Sequence, residues 1–394
     1  MNNSRGSFIY VTPLIKELET RILPEVKFIS EPKQVNGSKL EGLKELLALG
    51  YNVATTHALL GMFDDEVIDL LNKSDYTLIL DEVANVVENM HCSKKDLEML
   101  LHHNYIKMEN GEVLAGDKAE DYLSDKDAKL YEIVYLAKRR RLLIYGETIL
   151  IWRLPIDIFN SFSKVYVLTY MFDCQLQRLY YDMYGIKYKY YHIRRGRLVE
   201  GADTRVIDKS LINIYEGKLN NIKMPLSSNW YSKKATASDI AVLNRRKANY
   251  FKNVTKSSTK HAMWTCFKAN SKSLEDKNYT IENSYVYSSA RATNDYKDRI
   301  NLAYMINKYA DPTIVNFFKE RGITVDQDKY SLSELLQWVY RARIRADESI
   351  NIYLPSERMR NLLYGWLNRE GEVFKRGEAI DYVEDWDALL QLEE

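Results

Sequence analysis

Short apolar runs and amphipathic stretches alternate along the first eighty residues. Phe8 to Thr12 is a compact apolar run closed by Pro13, the pattern of a buried strand. Leu14, Leu18 and Ile22 then recur at four-residue spacing and predict a helix stopped near Pro24. Val26 to Ile29 reads as a second strand and Pro32 to Ser38 as a loop. Leu40, Leu43, Leu46 and Leu47 mark one apolar helix face, ended by Gly50. A third strand is predicted over Tyr51 to Thr56. A helix over Ala58 to Leu71 follows, carrying Phe63, Val67, Leu70 and Leu71. The run Tyr76-Thr77-Leu78-Ile79-Leu80 then ends abruptly in two carboxylates, Asp81 and Glu82. This β-α-β-α-β-α-β rhythm with short connections predicts a parallel sheet covered by helices.

Beyond Val83 the rhythm breaks. Residues 84–150 read as a mainly helical insertion, with a helix start at Ser93-Lys94-Lys95-Asp96 and a turn at Glu109-Asn110-Gly111. Lys164 to Thr169 restores a core strand, Cys174 to Tyr184 a helix, and Ile186 to Ile193 another strand. Residues 1–193 are thus expected to form a first α/β domain. Residues 194–258 are rich in Asn, Ser and Lys and read as a polar connection, with a helix from Ser238 to Asn253. A second α/β domain is expected over 259–370. Its predicted strands are Ala262 to Phe267, Ser284 to Ser288 and Ile350 to Leu354, and its predicted helices lie around Lys297 to Tyr309 and over Leu332 to Arg345. Residues 371–394 read as an acidic tail.

Composition narrows the partners. The chain has 394 residues with 46% hydrophobic positions, enough for packed cores. Lys+Arg 56 against Asp+Glu 55 leaves a net charge of +1, so any polyanion must be held by local patches. Such patches exist at Lys138-Arg139-Arg140-Arg141, Arg194-Arg195-Gly196-Arg197 and Arg245-Arg246-Lys247, although each also reads as a solvated face. Thirty tyrosines, several of them between Tyr180 and Tyr191, serve either packing or base stacking. Three widely spaced cysteines without a CxxC or Cys/His cluster argue against a structural zinc or a disulfide framework, and fit a reducing cytosol. No stretch has membrane-spanning length and apolarity.

The candidate chemistry gathers at strand ends. Open parallel sheets place ligands outside the carboxyl ends of their strands. An acidic pair there, Asp81-Glu82, is suited to hold Mg²⁺ through water and to orient a water for attack on phosphate. A strand followed by a polar turn explains the same residues. Thr12-Pro13 leaves a hydroxyl and backbone groups at the first strand end, or is a helix cap. Thr55-Thr56-His57 leaves the third strand on the same edge. Thr169 ends the strand Val165 to Leu168. Gln337, Arg341 and Arg345 recur at every fourth position, which on a continuous helix places all three on one face. Two arginines on such a stripe can stabilise charge on a leaving γ-phosphate.

In this order the segments resemble the motifs of superfamily 2 (DEAD-like) helicases, and more closely a group of helicase-like proteins carried by bacteriophages. Asp81-Glu82 looks like the Walker B pair, Tyr10 to Pro13 like motif Ia, and Ala54 to His57 like the next nucleic-acid-contacting motif. Leu168-Thr169-Tyr170 looks like motif III, and His261 to Lys268 is similar to motif IV. Ser289 to Asn294 looks like motif V and Gln337 to Arg345 like motif VI. The run Ile350 to Arg360 points to the phage group. The resemblance implies two RecA-like domains with ATP and Mg²⁺ between them. Asp81, Glu82, Thr169, Gln337, Arg341 and Arg345 would then serve catalysis, with Asp81 holding Mg²⁺ through water. Single-stranded or forked nucleic acid, DNA more than RNA, would meet Thr12, Pro13, Thr55, Thr56, His57, Arg291, Thr293 and Asn294. The implied setting is phage replication in a bacterial host cytosol, with replication proteins as further partners.

The chain departs from the family in two respects. The arginines of the motif VI-like run stand four, six and eight residues after Gln337, where the family has four and seven, and Tyr340 takes the place of the usual glycine. No GxxxxGK[ST] run, whose amides and Lys cradle the β- and γ-phosphates, occurs in the sequence. Met1 to Ser4 resembles the tail of the helix that follows such a loop. The expectation is a chain that starts late, at an internal methionine of a longer product, or a fragment. The other reading is a relative that naturally lacks the loop, a non-catalytic binding or interaction module such as an accessory factor or an inhibitor of a host system. A packaging motor with a nuclease domain is disfavoured, because the second half lacks a spaced acidic cluster. Residues 1–394 are expected to hydrolyse ATP negligibly with or without single-stranded nucleic acid. A phosphate-release assay checks this, and clear nucleic-acid-stimulated turnover contradicts it.

Overall fold

The computed structural model describes residues 6–201, 208–289 and 295–368. The chain divides into two compact units, Met1–Ile186 with Asp311–Val325, and Lys187–Ala310 with Asp326–Glu394. Both contain a parallel sheet with helices, the two-domain α/β architecture expected. In chain order the strands of the first unit are β1 (Ser7–Thr12), β2 (Ile29–Ser30), β3 (Asn52–Thr56), β4 (Tyr76–Asp81), β5 (Val87–Met90), β6 (Ile106–Glu109), β7 (Glu112–Ala115), β8 (Leu142–Tyr145), β9 (Ile149–Arg153) and β10 (Lys164–Leu168). Those of the second unit are β11 (Tyr191–Arg194), β12 (Arg197–Glu200), β13 (Ile212–Ile214), β14 (Ala262–Thr265), β15 (Asn301–Tyr304) and β16 (Ile350–Tyr353).

The first parallel sheet has the order β10-β4-β1-β3-β2. Its central strands are apolar on both faces, with Ile9, Val11, Val53, Leu78 and Leu80 fully buried, as a parallel sheet covered by helices demands. The helical stretch after β1 runs from Ile15 to Glu25 and contains a π-helical turn over Leu18–Ile22. Leu18 and Ile22 pack it against Phe8, Tyr10 and Ala54 of the sheet. The helix expected over 58–71 is two helices, His57–Leu60 and Asp65–Asn72. The chain turns between them at Gly61, and Asp64 starts the second by accepting from Val67 N at 3.1 Å.

The insertion is not mainly helical. Beside helices Lys94–His102, Ala119–Leu123 and Tyr131–Lys138 it carries an antiparallel sheet of order β5-β9-β8-β7-β6. Its strands are four or five residues long and half of their side chains face the core around Leu97, Leu100, Val113, Val134 and Leu150. Such short alternations are masked by the neighbouring helical spacing. The turn at Glu109-Asn110-Gly111 joins β6 to β7, with Asn110 and Gly111 both at positive φ (51° and 80°), the primed turn that matches strand twist. The buried Arg141 guanidinium donates to the carbonyls of Gly61 and Phe63, tying this sheet to the helix break after β3. A helix distant in sequence, Pro312–Glu320, completes the unit. Phe317 meets Tyr145, and Thr313 Oγ1 is 3.3 Å from Asn89 Nδ2.

In the second unit the parallel order is β13-β16-β15-β14. Residues 194–258 are not a mere connection, since β13 joins this sheet and helices Ser228–Lys233 and Ala237–Asn249 cover its aromatic core. Residues 191–200 form a separate two-stranded hairpin, in place of a strand over 186–193. The expected strand at 284–288 is reduced to one bridge, Tyr285 to Trp264. The expected helix over 297–309 is strand β15, and every residue from Asn301 to Ile306 is buried. A short run buried on both faces carries helical spacing by accident, so periodicity alone does not separate the two. The helix expected over 332–345 spans Gln327–Val339 and stops there.

The core of this unit holds a buried ammonium among aromatics. Lys247 is fully buried, its Nζ 3.5 Å from the Trp264 ring centroid and donating to the Leu274 carbonyl. Burial pushes its pKa down to about 7, against smaller upward effects of Cys266, Asp276 and Glu275. Between that value and the ordinary 10.5, the unfolded chain binds a proton that the native chain does not. Native stability from this group therefore rises with pH across that window and is lowest below it. Denaturant midpoints at pH 7 and pH 9 should differ in this direction for the native chain, and Lys247→Met should remove the difference.

Candidate functional site

Register brings the strand ends together. Val11 pairs with Thr55 and Leu80, Thr12 with Thr56, and Leu168 with Asp81. Thr12, Thr56, Asp81 and Thr169 therefore leave one edge of the first sheet side by side. At Glu82 the backbone turns into the left-handed region (φ 69°), uncommon for a residue with a side chain. Its amide donates to Leu168 O at 3.0 Å and its carboxylate accepts from Thr169 Oγ1 at 2.9 Å. Met171 repeats the left-handed turn just past β10 (φ 55°). Strain concentrated at two neighbouring strand ends is characteristic of binding edges.

Asp81 is already engaged. Its Oδ2 accepts from the Tyr10 hydroxyl and from Arg21 Nη2, both at 2.8 Å. Arg21 Nε in turn lies 2.8 Å from Glu17 Oε2, one helical turn earlier. Burial, followed by the neighbouring Asp81 carboxylate, raises the Tyr10 hydroxyl above its ordinary pKa. Partial burial works against the Arg21 charge, but Tyr10, Glu17 and Asp81 more than offset it and hold the guanidinium pKa above normal. His57 Nε2 sits 3.1 Å from the Asp81 backbone carbonyl, which makes that nitrogen the donor. Beside His57 opens a groove of about 360 Å3, lined by His57, Ala58, Met62, Asn85 and Trp152.

The remaining expected residues distribute unevenly. Thr56 caps the helix His57–Leu60, and Pro13 is half-buried. Thr12 and Thr55 are buried, and the Thr12 hydroxyl has no partner. In the second unit Gln337 and Arg341 are buried and Arg345 is exposed. They do not share a helical stripe: Gln337 lies in the last turn of its helix, and after Val339 the chain tightens through Arg341 N to Trp338 O and Ala342 N to Val339 O. Arg343 then anchors the turn on Ser349. No Gly or Pro announces this break. Both polar atoms of the buried Gln337 amide lack a partner. Arg291, Thr293 and Asn294 lie outside the described residues.

Sequence reading missed Arg21. Its only local signal is Glu17 four residues earlier, and its decisive partner is 60 residues away. The helicase resemblance implies Mg²⁺ at Asp81, and the contacts of its Oδ2 fit that ion poorly. The Asp81 oxygen is shared by a protein cation and a phenol. Among the described residues no group of three or more His, Cys, Asp or Glu side chains is placed to hold a metal.

Comparison with known proteins bears on lineage. The chain is 36% identical over 389 residues to the SPbeta prophage-derived uncharacterized protein YonV of Bacillus subtilis (strain 168), covering 92% of each. This chain belongs to the YonV family. Residues 207–367, nearly all in the second unit, match the profile described as the YonV C-terminal Rossmann-like domain. Among solved structures, "XPD_APO" is similar at 13% identity, covering 91% of this chain and 90% of that one with a TM-score of 0.47. "XPD_Helicase" is similar at 11%, covering 92% and 86% with a TM-score of 0.40. Likeness at this level is too remote to assign a site or an activity in the YonV family, and the fold described above rests on strand order and register.

If Arg21 fills the role of a cation at Asp81, its removal should open the carboxylate to a divalent ion. Electron paramagnetic resonance of Mn²⁺ should show weak binding by the native chain and roughly tenfold tighter binding by Arg21→Ala, since a charge at ion-pair distance is worth on the order of 1–4 kcal/mol near a protein surface. Equal affinity in the two proteins contradicts the assignment.

Proposed function

We propose that this chain is a nucleic-acid-binding protein on a helicase-type scaffold that does not turn over ATP by itself. The observation that carries the reading is the edge of the first sheet. Thr12, Thr56, His57, Asp81-Glu82 and Thr169 converge there, but Asp81 is held by Arg21 and Tyr10. The convergence supports descent from a phosphate-handling site. The clasp on Asp81 supports a carboxylate withdrawn from metal-dependent hydrolysis in this chain.

In this reading the substrate is single-stranded or forked nucleic acid, DNA rather than RNA. Thr56 and His57 are the accessible phosphate contacts on the first unit. Thr12, Pro13 and Thr55 shape the strand ends behind them. Arg291, Thr293 and Asn294 supply the corresponding contacts on the second unit. Gln337, Arg341 and Arg345 are the counterpart of a nucleotide-sensing motif in this reading, with the helix end at Val339 removing them from one shared face. The prophage-derived relative supports a phage setting in a bacterial host; within it, the reading takes the chain as an accessory factor to replication proteins in phage replication or DNA metabolism. No helix among the described residues is long and apolar enough to cross a membrane.

Fluorescence anisotropy of a labelled single-stranded oligonucleotide tests the reading. The full chain should bind saturably without nucleotide. Thr56→Val and His57→Ala should each weaken binding roughly fivefold, the loss of about 1 kcal/mol for one hydrogen bond to a phosphate. Absence of saturable binding to single-stranded DNA and RNA would overturn it.

A further inference from the structure

The hairpin of β11 and β12 carries a charge distribution that does nothing for its own folding. Between Lys187 and Glu200 stand five basic side chains, Lys187, Lys189, Arg194, Arg195 and Arg197, against one acidic one, in a chain whose net charge is +1. The single carboxylate, Glu200, sits at the open end of the ribbon, where Lys189 Nζ lies 3.5 Å and the Tyr191 hydroxyl 3.4 Å away. The three arginines crowd the closed end, all exposed, and among the described residues no carboxylate pairs with any of them.

Two choices at the tip oppose stability. Arg194 stands directly across from Arg197, a like-charge pair on one face of the ribbon. Arg195 takes the first turn position at φ 52°, followed by Gly196 at φ 79°. That turn favours Asn, Asp or Gly at its first position, where Arg is strained. On the opposite face Tyr191 and Ile193 are 40% and 62% exposed, an apolar strip that runs back from the tip on the other side of the ribbon from the Arg194–Arg197 pair. His192, by contrast, is spent internally, Nδ1 lying 3.1 Å from Gly201 O.

We propose that this hairpin is a binding site for single-stranded nucleic acid, with Arg194, Arg195 and Arg197 on successive phosphates and Tyr191 and Ile193 against unpaired bases. A polyanion crossing the tip relieves the Arg194–Arg197 opposition, and the exposed ring on the other face of the same narrow ribbon gives its unpaired bases a stacking surface tolerant of any sequence. An exposed apolar strip gives no advantage on a duplex, whose bases are already stacked. The site is distinct from the strand-end residues of the first unit. It rests on the nucleic-acid-binding reading only in the class of ligand.

The test uses the full chain and labelled single-stranded DNA, single-stranded RNA and duplex DNA, titrated at several salt concentrations. Arg194→Ala/Arg195→Ala/Arg197→Ala should lose at least about tenfold in affinity for single strands, and its log–log salt slope should fall by about 2, since each single-strand phosphate contact contributes about 0.7. Arg195→Asn should raise or preserve the thermal midpoint while weakening binding, a combination that a purely structural role for the tip does not produce. The strand-end variant Thr56→Val/His57→Ala serves as the comparator. Loss in the tip variants with retention in the comparator supports the hairpin site whether or not the strand-end reading holds. Loss in the comparator alone, with an unchanged salt slope in the tip variants, overturns the hairpin site and leaves the strand-end reading standing. Preference for duplex, affinity for anionic vesicles in place of oligonucleotide, or no binding by the native chain also overturns it.

Discussion

Everything at the candidate site depends on the parallel register of four strands. With Val11 beside both Leu80 and Thr55, and Leu168 beside Asp81, the residues that end each strand are delivered to one edge, each a strand spacing from the next. A slip of one residue in any pair would turn a polar strand end into the core and a core residue out. The buried residues Ile9, Val11, Leu78 and Leu80 prevent that slip, so the hydrophobic core of the first unit is also what sets its chemistry. The left-handed residues Glu82 and Met171 take the chain off that edge at once and keep the side chains there from being covered by their own backbone.

Within that edge the Asp81 carboxylate has found a cation supplied by the fold. Arg21 is delivered by the helix whose Leu18 and Ile22 pack on the sheet, and the π-helical turn over Leu18–Ile22 falls on the stretch that carries it. Two donors on one carboxylate oxygen give a charge-assisted arrangement that orders Tyr10, Glu17, Arg21 and Asp81 together. The same carboxylate in a hydrolytic site must remain available to a metal. The two uses compete for one oxygen, and in this member of the YonV family the structural use holds it.

Cationic side chains are placed in two opposite ways, and the second unit contains both. Arg141 and Lys247 are sunk into cores, where carbonyl groups and an aromatic ring replace water, and in Lys247 burial depresses the charge itself. Arg194, Arg195 and Arg197 are held out on a ribbon that carries no counter-charge near its tip. The first kind of placement stiffens the structure. The second leaves charge for a partner.

Much of this was legible in the sequence. The apolar runs ending at Thr12, Thr56 and Asp81 announced parallel strands with polar ends, whereas the run ending at Leu168, expected as a core strand, is an edge strand whose side chains are half-buried and whose Leu168 is exposed. The Asn110-Gly111 turn and the helix start at Ser93 lay in local chemistry that needs no tertiary context, whereas the helix predicted over Ala58 to Leu71 ran through the break that Asp64 caps. What the sequence did not disclose depends on contacts far apart along the chain. The short strands of the insertion and β15 carry too few residues for their period to outvote a helical one, and their partners decide them. The end of the helix at Val339 is imposed by the anchoring of Arg343 on Ser349, with no breaker residue to mark it. The pairing of Arg21 with Asp81 joins residues sixty positions apart, so the sequence showed an acidic strand end suited to a metal, and only the packed helix beside it decided that a guanidinium stands there.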